Sequence, residues 1–203
     1  MSEDISGRQW VEKLGEQADE AFQDHQVQVI GPGHWLIRRP GGGPFWTHIV
    51  TMGSGLAVWG DIDACVFAYS SGEPEQLVAW MADASYSYGR EKAQIGTGCG
   101  VDHFEPSVAI YDLRQKLADA PECYGETWPE IEADYTDAIE EAISLTEAGE
   151  PFVVMQANLV DNLERIDQDA WEWVLGIGMV PSPRVIYALA AVRCLHRLLQ
   201  AGS

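Results

Sequence analysis

Between residues 27 and 69 the chain repeats one pattern five times, and that repetition restricts the fold more than anything else in it. The runs "VQVI" (27–30), "HWLIRR" (34–39), "FWTHIVTM" (45–52), "LAVWG" (56–60) and "ACVFAY" (64–69) are short and rich in β-branched and aromatic residues. Between them stand Gly31-Pro32-Gly33, Pro40-Gly41-Gly42-Gly43-Pro44, Gly53-Ser54-Gly55 and Gly60-Asp61-Ile62-Asp63. Parallel neighbours need crossovers of about a dozen residues or more, so connections this short predict an antiparallel meander of about five strands.

Helical periods flank the strands. Trp10, Leu14, Ala18 and Phe22 recur at steps of four, with Glu12, Glu16, Asp19 and Glu20 on the opposite side, which predicts an amphipathic helix over about Gly7 to Asp24. Beyond Glu73 the pattern is helical again. Helices are expected after Pro74, from Tyr86 to Ala93, Val108 to Leu117, Thr127 to Glu147, Phe152 to Leu163, Gln168 to Leu175 and Pro183 to Gln200, several opened by a proline that a first turn tolerates. The class is therefore α+β. Residues 1–95 hold the leading helix, the sheet and short helices. Residues 96–203 are expected to form a helical acidic region packed on them as one compact unit.

Charge narrows the function classes. The chain carries 32 acidic against 12 basic residues, a formal net charge of -20. A surface of that sign repels nucleic acid and attracts basic proteins. Half of the acids lie between Leu117 and Val174, where Arg165 is the single base, whereas the segment from Pro183 onward has Arg184, Arg193 and Arg197 and no acid. Docking of that basic helix near the acidic segment is one expected consequence. Cys65, Cys99, Cys123 and Cys194 are widely spaced, with no C-x-x-C pair, and read as free buried thiols of a reducing compartment. No apolar run approaches a membrane span and the acidic N-terminus is unlike a leader, so a soluble, cytoplasmic protein of the host cell is expected, without membrane contact.

The stretch "HWLIRRPGGGPFWTHIVTMGSGLAVWGDIDACVFAY", followed by "YSYGREKAQI", resembles a group of uncharacterised phage and prophage proteins. They share an aromatic strand, a proline-containing turn, a "GD" hairpin, a "VF" strand and a later Tyr-containing segment with a lysine, here Tyr88 to Lys92. The resemblance covers roughly residues 34 to 95. This chain departs from it at Met52-Gly53-Ser54-Gly55, where a Pro-Gly pair is expected. No activity common to the group is established, so no catalytic residue carries over. The resemblance implies an accessory gene of a mobile element, of the kind that includes anti-CRISPR inhibitors.

Asp61 and Asp63 form a D-x-D pair that can hold a divalent metal or divide acid and base roles. Yet Gly60 and Asp61 are also what a tight hairpin selects, and the turn reading is preferred. In "GTGCGVDHFE", Cys99 and His103 are close enough for a thiol-imidazole pair, with Asp102 and Glu105 as further ligands, although the glycines alone explain a loop. His34 and His48 are expected as hydrogen-bonded sheet residues, and no helical His spacing makes a metal site. Arg38 and Arg39 beside Trp35 and Trp46 form a small aromatic-basic patch, read chiefly as core tryptophans and edge arginines. No cofactor and no metal are expected.

The strongest candidate is a stripe of carboxylates. Glu126, Glu130, Asp134, Asp137 and Glu141 follow steps of four, four, three and four along one predicted helix. The steps place them about 4.5 to 6 Å apart along its axis, comparable to phosphates on a strand. Stacked like charges weaken a helix by a few tenths of a kcal/mol per pair, so the density argues for partner binding, beside which a solvated helix face that keeps the protein soluble stands as the other reading. The expected function is inhibition of a basic host protein or nucleoprotein complex, such as a CRISPR effector, by phosphate mimicry without direct nucleic-acid binding. The alternatives are a small enzyme acting on a nucleotide or protein through Cys99/His103 or Asp61/Asp63, and a virion-associated or regulatory interaction module.

Overall fold

The computed structural model describes residues 5–68, 72–94 and 100–202. The chain forms two compact units. One comprises Val11–His103 with Pro181–Ser203, the other Met1–Trp10 with Phe104–Val180. Both are discontinuous in sequence.

In the first unit, strands β1 (Gln26–Gly31), β2 (His34–Arg38), β3 (Thr47–Met52), β4 (Gly55–Gly60), β5 (Asp63–Ala68) and β6 (Ala93–Gln94) lie in sequential order in one sheet. Every pairing is antiparallel. The meander is the expected one with a sixth strand added. Two residues after a helix carry no period of their own, and Ala93 and Gln94 are strand only because Phe67 and Val66 stand opposite them. Alternation sends Trp35, Ile37, Ile49, Leu56, Val58, Cys65 and Phe67 to one face, all essentially excluded from solvent. Trp35 pairs with Ile49, Ile49 with Val58 and Val58 with Cys65, so the buried side chains run in a row across four strands.

Helices α1 (Gly7–Ala21), α2 (Pro74–Ala82), α3 (Tyr86–Lys92) and α8 (Pro183–Ala201) match the predicted segments to within a few residues. The last of them is the centre of this unit's core. Its Val185, Ile186, Leu189, Val192 and Leu195 are buried, and it packs on α2, α3, β1, β4 and β5. Gly89 is what lets α3 approach it: a Cβ there would overlap the Leu189 methyls. Full burial of these five aliphatic side chains is worth about 1.5 to 3 kcal/mol each before entropy is subtracted.

The second unit is helical, with α4 (Pro106–Tyr124), α5 (Trp128–Glu147), α6 (Phe152–Leu163) and α7 (Ala170–Val174) around Leu113, Tyr135, Ile139, Met155, Leu159 and Leu163. Helix α4 runs seven residues past its expected end, through Pro121. A proline inside a helix removes a donor, but burial of Ala120 anchors that turn. Asp167 ties two elements of this core together. Its carboxylate accepts from the Tyr124 hydroxyl at 3.0 Å and from Trp173 Nε1 at 2.9 Å. Short strands β7 (Asp102–Phe104) and β8 (Met179–Pro181) form a separate two-stranded sheet.

Candidate functional site

The carboxylate stripe is real in part of its length. Glu130, Asp134, Asp137 and Glu141 lie on α5 with exposed side chains, but Glu126 sits in a separate 3-10 turn, Gly125–Thr127, before the helix begins. Three residues per turn break the helical phase, so Glu126 is exposed beside the stripe rather than in register with it. Tyr135, Ala138, Ile139 and Ala142 on the other side of α5 are buried and fix which face the acids present.

Asp134, Asp137 and Glu141 form one wall of a groove of about 430 Å³, faced by Asp161, Asn162 and Arg165 from α6 and the turn after it. The sequence periodicity could not show this, because it takes two helices to make a groove. Glu141 is engaged inside the unit: its two oxygens accept from Asn158 Nδ2 at 3.1 Å and Asn162 Nδ2 at 3.0 Å. Glu130, Asp134 and Asp137 have no ion pair among the described residues. Arg165 lines the groove but is one base among four carboxylates, which leaves the groove electronegative.

The D-x-D segment resolves into a turn with an unexpected centre. Gly60 pairs with Asp63, leaving Asp61 and Ile62 as the hairpin's two loop residues. Gly60 has φ +155, and a Cβ there would collide with the Trp46 carbonyl, so glycine is required by close approach. It is Asp63, not Asp61, whose side chain serves the backbone. It adopts φ +72, accepts from its neighbour Ala64 N at 2.9 Å, and forms an ion pair with Arg184 at 2.8 Å. No group of three metal-ligating side chains occurs among the described residues.

Cys99 lies outside the described residues, so its pairing with His103 has no geometry to report. The neighbours proposed as co-ligands have other work. Asp102 forms an ion pair with Arg90, and Glu105 caps α4 by accepting from the Ser107 amide and hydroxyl at 3.3 and 2.8 Å. Cys65 and Cys194 are buried, and burial pushes the Cys65 thiol up to about 12 and raises that of Cys194. Cys123 departs from the expectation of burial and is exposed.

His34 and His48 hydrogen-bond each other, Nε2 to Nδ1, at 2.9 Å on the sheet face opposite the core. His48 also stacks on Trp59 with ring centres 5.3 Å apart, while Trp46 meets its edge. Burial and then the neighbouring His34 hold His48 below the ordinary imidazole range. The aromatic-basic patch is divided by strand alternation: Trp35 is core at 3% exposure, Trp46 is exposed, and Arg39 donates to the Ala21 carbonyl at 3.2 Å.

Two arginines of α8 find partners within the sheet unit among the described residues. Arg184 meets Asp63, and Arg193 donates to the Ala82 and Ala84 carbonyls and to the Tyr86 hydroxyl. No helix among the described residues is long and apolar enough to cross a membrane. No protein-family model, curated protein or solved structure matches the chain.

Proposed function

We propose that this is a binding protein whose acidic helical unit occupies the phosphate-holding surface of a basic, nucleic-acid-binding partner. The observation that carries the reading is the row Glu130, Asp134 and Asp137, exposed on α5 and without an ion pair among the described residues, opening into a groove that gains Asp161 from α6. Groups left unpaired at such density repel one another, and a partner's arginines and lysines relieve that repulsion while displacing the partner's own anion. The resemblance of residues 34 to 95 to phage and prophage proteins supplies the setting. In it the partner is a host defence complex such as a CRISPR effector, and occupying its basic surface inhibits it.

The test is titration of the protein against a guide-loaded CRISPR effector across a range of salt, beside the triple variant Glu130→Lys, Asp134→Lys, Asp137→Lys. Glu141 is left alone because its asparagine bonds join two helices. The expected outcome is affinity that falls steeply with salt and drops by about a hundredfold or more in the variant. Binding that ignores salt or survives the reversal refutes phosphate mimicry, and absence of binding refutes the choice of partner.

A further inference from the structure

A second pocket, in the sheet unit, has the opposite electrostatic character. It measures about 480 Å³ and lies between β1 and the turn that follows β2, lined by Gln26, Gln28, Arg38, Arg39, Gly41 and Gly42 among others. None of its lining residues is acidic. That is a departure from the rest of the chain, and it extends beyond the pocket: from His25 to Gly60 there is no Asp or Glu at all. At ordinary ionic strength charges more than about 10 Å apart are largely screened, so the pocket responds to its own arginines rather than to the net charge of the protein.

Arg38 is exposed and has no ion pair among the described residues. Arg39 spends one bond on the Ala21 carbonyl, while its Nε is buried with no partner among the described residues. Gln26 and Gln28 add side-chain amides. The turn closes with Gly42 N donating to the Arg39 carbonyl, and Gly41 and Gly42 take φ +80 and +92 with open space where a side chain would stand. The backbone there is bare and open to a ligand.

We propose that this pocket binds the phosphate group of a small phosphorylated molecule. Arg38 and Arg39 both line it, and a guanidinium fork matches two oxygens of a tetrahedral phosphate, whose greater charge attracts an arginine more strongly than the single charge of a carboxylate does. The volume exceeds that of a phosphate ion and falls in the range of small-molecule sites, about 300 to 1,000 Å³, which leaves room for a sugar or nucleoside attached to it. The site lies in the sheet unit, away from the α5 stripe in sequence, so either proposal can fail without the other.

Calorimetric titration of the full chain with adenosine monophosphate, ribose 5-phosphate, adenosine, ribose and succinate tests it. Binding is expected for the two phosphorylated compounds only, weakened about tenfold or more by Arg38→Gln, which removes an exposed side chain with no bond to another described residue and leaves the thermal midpoint unchanged. Arg39→Gln gives the same loss of affinity together with lower stability, from its Ala21 bond. Adenosine or succinate binding as tightly as the phosphorylated compounds, equal binding by Arg38→Gln, or no binding of either phosphorylated compound at millimolar concentration overturns the proposal.

Discussion

Arg193 holds the terminal helix to the segment between α2 and α3, and its removal has a size that follows from its bonds. The guanidinium donates to Ala82 O at 3.2 Å, Ala84 O at 2.9 Å and Tyr86 Oη at 2.6 Å, and lies 4.4 Å from the centre of the Tyr86 ring. Hydrogen bonds from a charged group contribute about 1.5 to 3 kcal/mol each when dry. The side chain is 26% exposed, so water replaces part of what is lost. Asp19, at 3.9 Å and half exposed, adds at most a small fraction of a surface pair's 1 kcal/mol or so. Arg193→Met, which keeps the apolar stem, is therefore expected to cost about 3 kcal/mol. Arg193→Lys retains one bond of three and has no planar fork, and costs about 2 kcal/mol. Amide hydrogen exchange within the sheet unit is the suitable assay, because a chain with two compact units need not melt in one step. A loss below about 1 kcal/mol, or a lysine variant as stable as the arginine protein, refutes the assignment of Arg193 as the tie.

Two further outcomes are expected. The folded protein holds His48 below the ordinary imidazole value, so the unfolded chain binds the proton first as pH falls; stability therefore drops through the window just below that value and levels off beneath the folded pKa. His25 contributes with the same sign, through burial and then the charge of Arg39, and urea midpoints between about pH 7 and 5 should show a smaller slope in His48→Gln; an unchanged slope excludes His48 as a source. In the helical unit, Gly178 has φ +67, and a Cβ would sit 2.6 Å from Ala109 Cβ and 3.0 Å from its Cα. Backbone strain and overpacking together predict a loss of about 3 kcal/mol for Gly178→Ala in urea denaturation, and a loss under about 1 kcal/mol shows that α4 yields more easily than its packing implies.

Much of this molecule is legible before folding. The five runs name the strands, but Trp35 and Trp46 read alike as core from the sequence, and only pairing across the sheet separates Trp35, in a buried row with Ile49 and Val58, from the exposed Trp46. Helix α6 is read to the residue, and α5 within one, from apolar spacing together with Pro129 in the first turn of α5 and Gly149 and Pro151 after it. The misses share a cause. Strand β6 exists only by pairing with β5, α4 continues through Pro121 where the adjacent Ala120 is buried, and Asp63 rather than Asp61 serves the hairpin where Gly60 is held against the Trp46 carbonyl. Each is decided by a neighbour distant in sequence.

The same division holds for the surfaces proposed to act. The sequence by itself determined the antiparallel meander, the amphipathic helices and the concentration of carboxylates on α5, since these follow from local period and charge. Only the tertiary structure decided that α8 spends Arg184 and Arg193 within the sheet unit, that α6 completes an acidic groove with α5, and that Gln26 and Gln28 join Arg38 and Arg39 around an acid-free pocket. Periodicity gives the direction of a side chain from its own backbone, whereas a groove or pocket is defined by which other backbone stands opposite.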